Sequence, residues 1–170
     1  MTAFDLVRAR GETTVTEPVL IIVCGLPGAG KTTMARSLAA ERTGIRLCPD
    51  DWLEALEISL WDEQLRDRVE RLQWELARDL LRAGNVVIIE WGTWGRDERD
   101  RLQVEARTLG AGVELVFLDP SLDELWRRIE ARGQVDPPIP RSDLARWDRV
   151  FERPDADELA DYDASVVITD

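Results

Sequence analysis

At 170 residues, with 44% hydrophobic and 33% charged side chains, the chain is sized for one domain around a full hydrophobic core. A formal net charge of -12 and a pI of about 4.5 argue against a broad surface for nucleic acid or anionic membrane. Histidine is absent. His-based triads and most zinc sites go with it, and a general base has to be a carboxylate.

Residues 1–17 are mixed and polar, read as an N-terminal extension with no signal peptide. Val19-Leu20-Ile21-Ile22-Val23-Cys24 is an unbroken apolar run suited to a strand buried on both faces. A glycine-rich segment follows, then a helix over 31–43 with Gly44 as its C-terminal stop. Ile45 to Cys48 reads as a short strand that ends at Pro49-Asp50-Asp51, with a short helix near 51–58. From Asp62 to Ala83 the stripe Leu65, Val69, Leu72, Leu76 and Leu80 predicts a long helix, closed by Gly84. Val86 to Ile89 is a third strand and delivers Glu90 at its end. A charged helix over 97–109 closes at Gly110, and Val113 to Leu118 is a fourth strand. Ser121-Leu122-Asp123-Glu124 is a capping-box pattern opening a helix to Arg132. Gly133 to Pro140 holds three prolines and reads as a loop. Short helices near 142–150 and 155–161 precede a last strand, Ser165 to Ile168.

This alternation is an α/β pattern with a parallel sheet and helices on both faces. Ligands in such sheets bind beyond the carboxyl ends of the strands. The segment at 25–32, Asp50 and Glu90 all fall on that edge. Cys24 and Cys48 end buried strands and read as small core residues, not a disulfide. No apolar run approaches the length of a membrane span, and the whole fits a soluble cytoplasmic chain. Nothing in the pattern points to one oligomeric state.

Of the 22 basic residues only Lys31 is lysine; the rest are arginine. A phosphate-binding loop is a place where arginine does not serve, because the site needs a compact ammonium on a slim stem. Gly25-Leu26-Pro27-Gly28-Ala29-Gly30-Lys31-Thr32 satisfies G-x-x-x-x-G-K-[ST] between a strand and a helix. Gly25, Pro27, Gly28, Ala29, Gly30, Lys31, Thr32 and Thr33 are therefore the expected nucleotide-binding residues, with Thr32 on Mg²⁺. ATP is the expected donor, with GTP the alternative.

Asp50 is the candidate general base for an attacking hydroxyl. The competing reading has both aspartates capping the next helix, with Asp51 or its neighbour as the cap. Glu90 stands where it can hold Mg²⁺ through water or bind the acceptor, or else is an edge carboxylate without a role. Arg128 and Arg132 share a helix face and, with Arg127 on the same helix, can stabilise transferred charge from a lid, against the reading of a solvated charged helix pairing with Asp123, Glu124 and Glu130. Trp52, Trp91 and Trp94 are candidate acceptor walls, against core packing; Trp74 and Trp126 read as core.

With these pieces placed, the chain resembles the small P-loop kinases related to chloramphenicol phosphotransferase, zeta toxin and the kinase domain of phage polynucleotide kinase. The resemblance covers about residues 18–168, with a domain over 18–170 and a lid around 128–146. It implies a five-stranded parallel sheet in which the third strand lies beside the first. It also implies Asp50 as the base, and Arg128 and Arg132 on phosphates. Pro49 replaces the arginine that precedes the aspartate pair in the polynucleotide kinases, and Glu90 stands where relatives often carry aspartate. The reaction so implied is ATP-dependent transfer to the hydroxyl of a small molecule: an antibiotic, a sugar or a nucleoside-like compound. A 5′-hydroxyl nucleic acid kinase is one alternative. A nucleotide-binding regulatory or toxin–antitoxin component is another.

Overall fold

The computed structural model describes residues 17–133 and 139–169. All of the expected extension but Glu17, and residues 134–138 of the proline-rich loop and expected lid, lie outside that range. The sheet is built on β1 (Val19–Gly25), whose residues Leu20 to Cys24 are fully buried. It pairs in parallel with β3 (Val86–Ile89), from Val19 opposite Val86 to Ile22 opposite Ile89. On its other side it pairs with β4 (Gly112–Leu118), from Val19 opposite Gly112 to Gly25 opposite Leu118. β2 (Ile45–Leu47) lies outside β3, and β5 (Ala164–Ile168) lies outside β4. The order is β2-β3-β1-β4-β5, all parallel, with strand 3 beside strand 1 as the resemblance implied.

Seven helices among the described residues connect and cover the strands: α1 (Lys31–Glu41), α2 (Pro49–Ala55), α3 (Glu63–Arg82), α4 (Arg96–Thr108), α5 (Leu122–Arg132), α6 (Arg141–Val150) and α7 (Ala156–Ala160). Ala35, Ala77, Leu81, Leu102, Ala106, Leu125 and Leu144 carry the core from the strands into five of them. Ser121 caps α5 by accepting from the Glu124 N–H, the half of the capping box that the sequence announced. No helix among the described residues is long and apolar enough to cross a membrane.

Three local expectations need correction. The stripe expected to pack α3 is rotated. Its buried residues are Val69, Gln73, Ala77 and Leu81, while Leu72 is 57% exposed and Leu76 39%. Spacing alone cannot separate two adjacent stripes when small or polar residues fill the true one. Second, Gly44 is not the left-handed stop of α1. Thr43 takes that conformation, at φ 49, and Gly44 is needed for closeness, since a Cβ there would lie 2.5 Å from Ile88 Cδ1. Third, neither Asp50 nor Asp51 caps α2. Cys48 is the N-cap and Pro49 opens the helix, so both carboxylates sit in its first turn.

The carboxyl ends of β1, β2 and β3 deliver Gly25, Cys48 and Glu90 to one edge of the sheet. From β1 the chain passes to β2 and β3 on one side, and only later to β4 on the other. That reversal opens a crevice at the strand ends.

Candidate active site

The glycine loop takes a shape that side chains would obstruct. Gly25 has φ 146, and a Cβ on it would come within 2.5 Å of the Leu118 carbonyl oxygen. Gly28, at φ 86, lies 3.0 Å from the nearest atoms of Ile129 and the Leu125 carbonyl by the same measure. Gly30, at φ 99, is the N-cap of α1, with no side-chain cap and no acidic residue in the first turn. The first N–H groups of α1, at Lys31, Thr32 and Thr33, are thus left for an anion, at the positive end of an eleven-residue helix. Ala29 is buried, Pro27 half-buried and Thr33 exposed.

Lys31 folds along this loop. Its Nζ donates to the Gly25 carbonyl at 2.8 Å and to the Leu26 carbonyl at 3.1 Å. Burial pushes its ammonium below the ordinary lysine range, while the Glu90 and Asp50 charges oppose that shift. Thr32 donates its hydroxyl to Glu90 Oε1. The Glu90 side chain, 4% exposed, is held on its other oxygen by Arg46 Nε at 2.6 Å. Arg46 continues to Asp51 at 2.6 Å. Burial disfavours its charge, but the bonds to Asp51 and Glu90 more than offset this and raise its pKa. Thr32 and Glu90 therefore meet at one point, directly after the phosphate loop. Two hard oxygen donors there suit a magnesium ion that arrives with phosphates. Among the described residues no group of three or more Cys, Asp or Glu forms an all-protein metal cage.

Asp50 stands on the same edge, half-buried, in an ion pair with Arg66 of α3. Arg66 also reaches Glu70 at 3.6 Å. From the opposite side, α5 leans on the loop. Arg128 Nη1 donates to the Ala29 carbonyl at 3.2 Å and its Nε to Glu124. Arg127 pairs with the same glutamate at 2.6 Å, and the two arginines hold its carboxyl down at about 2. Arg132, the last residue of α5, is exposed and among the described residues makes no hydrogen bond or ion pair. Of the two expected lid arginines, the structure brings only Arg128 to the loop.

The tryptophans divide differently from expectation. Trp91 is 3% exposed, donates its Nε1 to Gln73 at 2.9 Å and meets Trp74 edge-on. It is core, because just past the end of β3 its ring turns inward onto Gln73 and Trp74 of α3. Trp52 is half-buried against the core, as are Trp74 and Trp126. Trp94 is half-buried and lies 5.9 Å from Trp147 of α6, which stacks on Trp61 at 6.5 Å. Sequence reasoning missed Arg46, Arg66, Trp61 and Trp147. Among so many arginines no local signal separates Arg46 and Arg66 from the rest, and Trp61 and Trp147 acquire neighbours only through the fold.

One further group holds the segment after β3 in place. Arg99 of α4 is fully buried against Glu158 of α7, with bonds at 2.6 and 3.0 Å. It also donates to the carbonyls of Thr93 at 2.9 Å, Trp94 at 3.2 Å and Glu152 at 2.8 Å. Thr93 takes φ 43, a strained value for a β-branched residue. Cys24 and Cys48 are buried and free, and burial pushes both thiols up to about 12. They are inert packing residues, as read from the sequence.

Comparison with known proteins agrees with this fold. The profile of the AAA domain family matches residues 20–154. A relative named adenylate kinase isoenzyme 6 homolog, from Schizosaccharomyces pombe, is 30% identical over 118 residues, which are 66% of this chain. The match spans only 60% of that relative's length. Among solved structures, a candidate kinase from Chloroflexus aurantiacus j-10-fl superposes with a TM-score of 0.70 at 24% identity, covering 91% of this chain and 89% of that one. A gluconokinase from Sinorhizobium meliloti 1021 gives 0.59 at 19% identity, with 91% and 85% covered. These two likenesses establish the fold.

Proposed function

The chain belongs to the AAA domain family of P-loop proteins, and from that premise we propose an ATP-dependent phosphotransferase that moves the γ-phosphate to a hydroxyl of a small molecule. The observation that carries the reading is the placement of Asp50. It stands one strand end away from Glu90 and beside the phosphate loop, held by Arg66 with its carboxylate half open to the crevice.

The loop N–H groups and Lys31 would take the β- and γ-phosphates, with Lys31 exchanging its bonds to Gly25 and Leu26 for phosphate oxygens. Thr32 and Glu90 would hold Mg²⁺, which, when bound with the nucleotide, supplies charge neutralisation across those phosphates. Asp50 would accept the proton of the acceptor hydroxyl as its oxygen bonds to the γ-phosphorus. The bond from that phosphorus to the bridging oxygen breaks, and ADP leaves. Arg128 is positioned to face the developing charge from α5, and Arg132 would join it on closure of the lid around 128–146. Trp52 and Trp94 remain the acceptor-side rings. The two free, buried cysteines suit a reducing, cytoplasmic setting.

The test is transfer of labelled γ-phosphate from ATP, and in parallel from GTP, to a panel of sugars, nucleosides and antibiotics. Asp50→Asn is expected to abolish transfer while nucleotide affinity stays near the parent value. Lys31→Ala is expected to lower turnover on the order of 10²-fold or more. Full transfer by Asp50→Asn would remove Asp50 from the role of base.

A further inference from the structure

The acceptor end of the crevice has a boundary that nucleotide binding does not explain. Trp61 stacks on Trp147 with 28° between ring planes, and Trp147 meets Trp94 at 56°. Trp61 stays 42% exposed, so the three rings form a wall open to water and not a sealed core. An open depression lined by Ser59, Trp61, Asp62, Glu63 and Gln64 lies at its rim. From Trp94 the boundary passes to Glu98, one turn along in α4 and beside the Trp94 backbone. Glu98 and Asp67 lie close enough to Glu70 for their charges to act on it. Glu70 reaches Arg66, and Arg66 reaches Asp50. The first turn of α3, capped by Asp62, leads back to Trp61. These contacts link the tryptophan cluster to Asp50.

Its chemistry is uneven. Burial pushes the Glu70 carboxyl up to about 7, with Arg66 opposing and Glu98 and Asp67 adding to the rise. Burial raises Glu98 as well, against the charges of Arg101 and Arg99. Two half-buried carboxyls near enough for one charge to act on the other would gain from a cation between them. Below them lie polar atoms without partners. Gln73 Nε2 is buried one turn beyond Glu70 on the same face of α3, and Thr93 Oγ1 is buried beside Trp94. Neither has a hydrogen-bond partner among the described residues, and buried polar groups seldom stay so. Flat indole faces suit the apolar face of a saturated ring and also attract cations.

Resting on the phosphotransferase reading, we propose that the acceptor is a hydroxylated ring bearing a cationic amine, an amino sugar or aminocyclitol. It lies against the Trp61–Trp147–Trp94 wall with its ammonium toward Glu70 and Glu98.

The test uses matched probes at a pH where the amines are charged: glucosamine, glucose and glucuronate, then 2-deoxystreptamine and myo-inositol. Labelled phosphate transfer and quenching of tryptophan fluorescence are both read. The amine-bearing probes are expected to exceed their neutral partners in kcat/KM by about tenfold or more. Glu70→Gln with Glu98→Gln should shrink that ratio to about twofold, with nucleotide affinity kept as the check on folding. Trp61→Ala, at an exposed position, should weaken quenching by the amines. Equal or better transfer to the neutral or acidic rings overturns the cationic assignment and leaves the phosphotransferase reading standing. With no transfer to any of these probes, the wider acceptor panel tests that reading and quenching decides the pocket. Saturable quenching by the amines, lost in the Glu70/Glu98 variant, sustains the pocket, and its absence overturns it.

Discussion

Glu70 shows how one side chain can oppose the fold that contains it. Its carboxyl, ordinarily near 4.5, is pushed up to about 7 by burial. A carboxyl with a folded value above its unfolded value favours the fold while protonated. That support is complete below about 4.5 and is lost as pH rises through about 7. Glu70→Gln should therefore stabilise the protein at pH 8 by about 1–3 kcal/mol and do nothing at pH 4. Thermal melts of both proteins across that range check the sign; an advantage confined to acid would refute it. Glycines at this scale separate by what surrounds them. Gly25→Ala meets the Leu118 carbonyl at 2.5 Å in a backbone conformation at φ 146. It should cost at least about 3 kcal/mol. Gly110→Ala, with nothing within 4 Å, should cost only the strain of φ 77, about 1 kcal/mol. Urea unfolding of the pair reads the difference. Lys31 is the residue that needs least from the structure to be singled out, because its motif is a contiguous eight-residue frame.

At the scale of elements, α3 is the instructive case. Its length and ends were readable, since Asp62 caps it and Gly84 closes it at φ 83. Its inward face was not. The leucines at 72 and 76 point outward, while Gln73 and Ala77 face the sheet. Leu81→Ala should cost about 2–5 kcal/mol, whereas Leu72→Ala should stay within about 0.5 kcal/mol. Equal costs in denaturant unfolding would restore the leucine stripe as the packing face. The reason for the misreading is physical. Gln73 is acceptable inside only because Trp91 Nε1 donates to it. No helix-local pattern reveals a partner on another strand end. α2 carries the same lesson, since its carboxylates are taken by Arg46 and Arg66 instead of the helix end.

At the scale of the whole molecule, the Arg99–Glu158 pair ties four segments together: α4, the loop after β3, the segment between α6 and α7, and α7. The pair is 0% and 2% exposed, so breaking it strands a charge in the interior. Glu158→Gln or Arg99→Met should cost about 3–5 kcal/mol, and the double replacement by methionine should recover part of that loss. A chevron or equilibrium series showing additive losses would disprove the coupling. What the sequence determined by itself is what short-range pattern can encode. Each buried strand, and the phosphate loop with its single lysine, is written in a few consecutive residues, and the order of such segments along the chain makes the sheet parallel. Tertiary structure alone decided which arginines reach the site, that Trp91 is core while Trp61 and Trp147 stand together, and which face of α3 is buried. Those outcomes depend on contacts between residues up to 99 positions apart, as from Arg128 to Ala29. Side chains of one kind become distinct only when the fold gives them different neighbours.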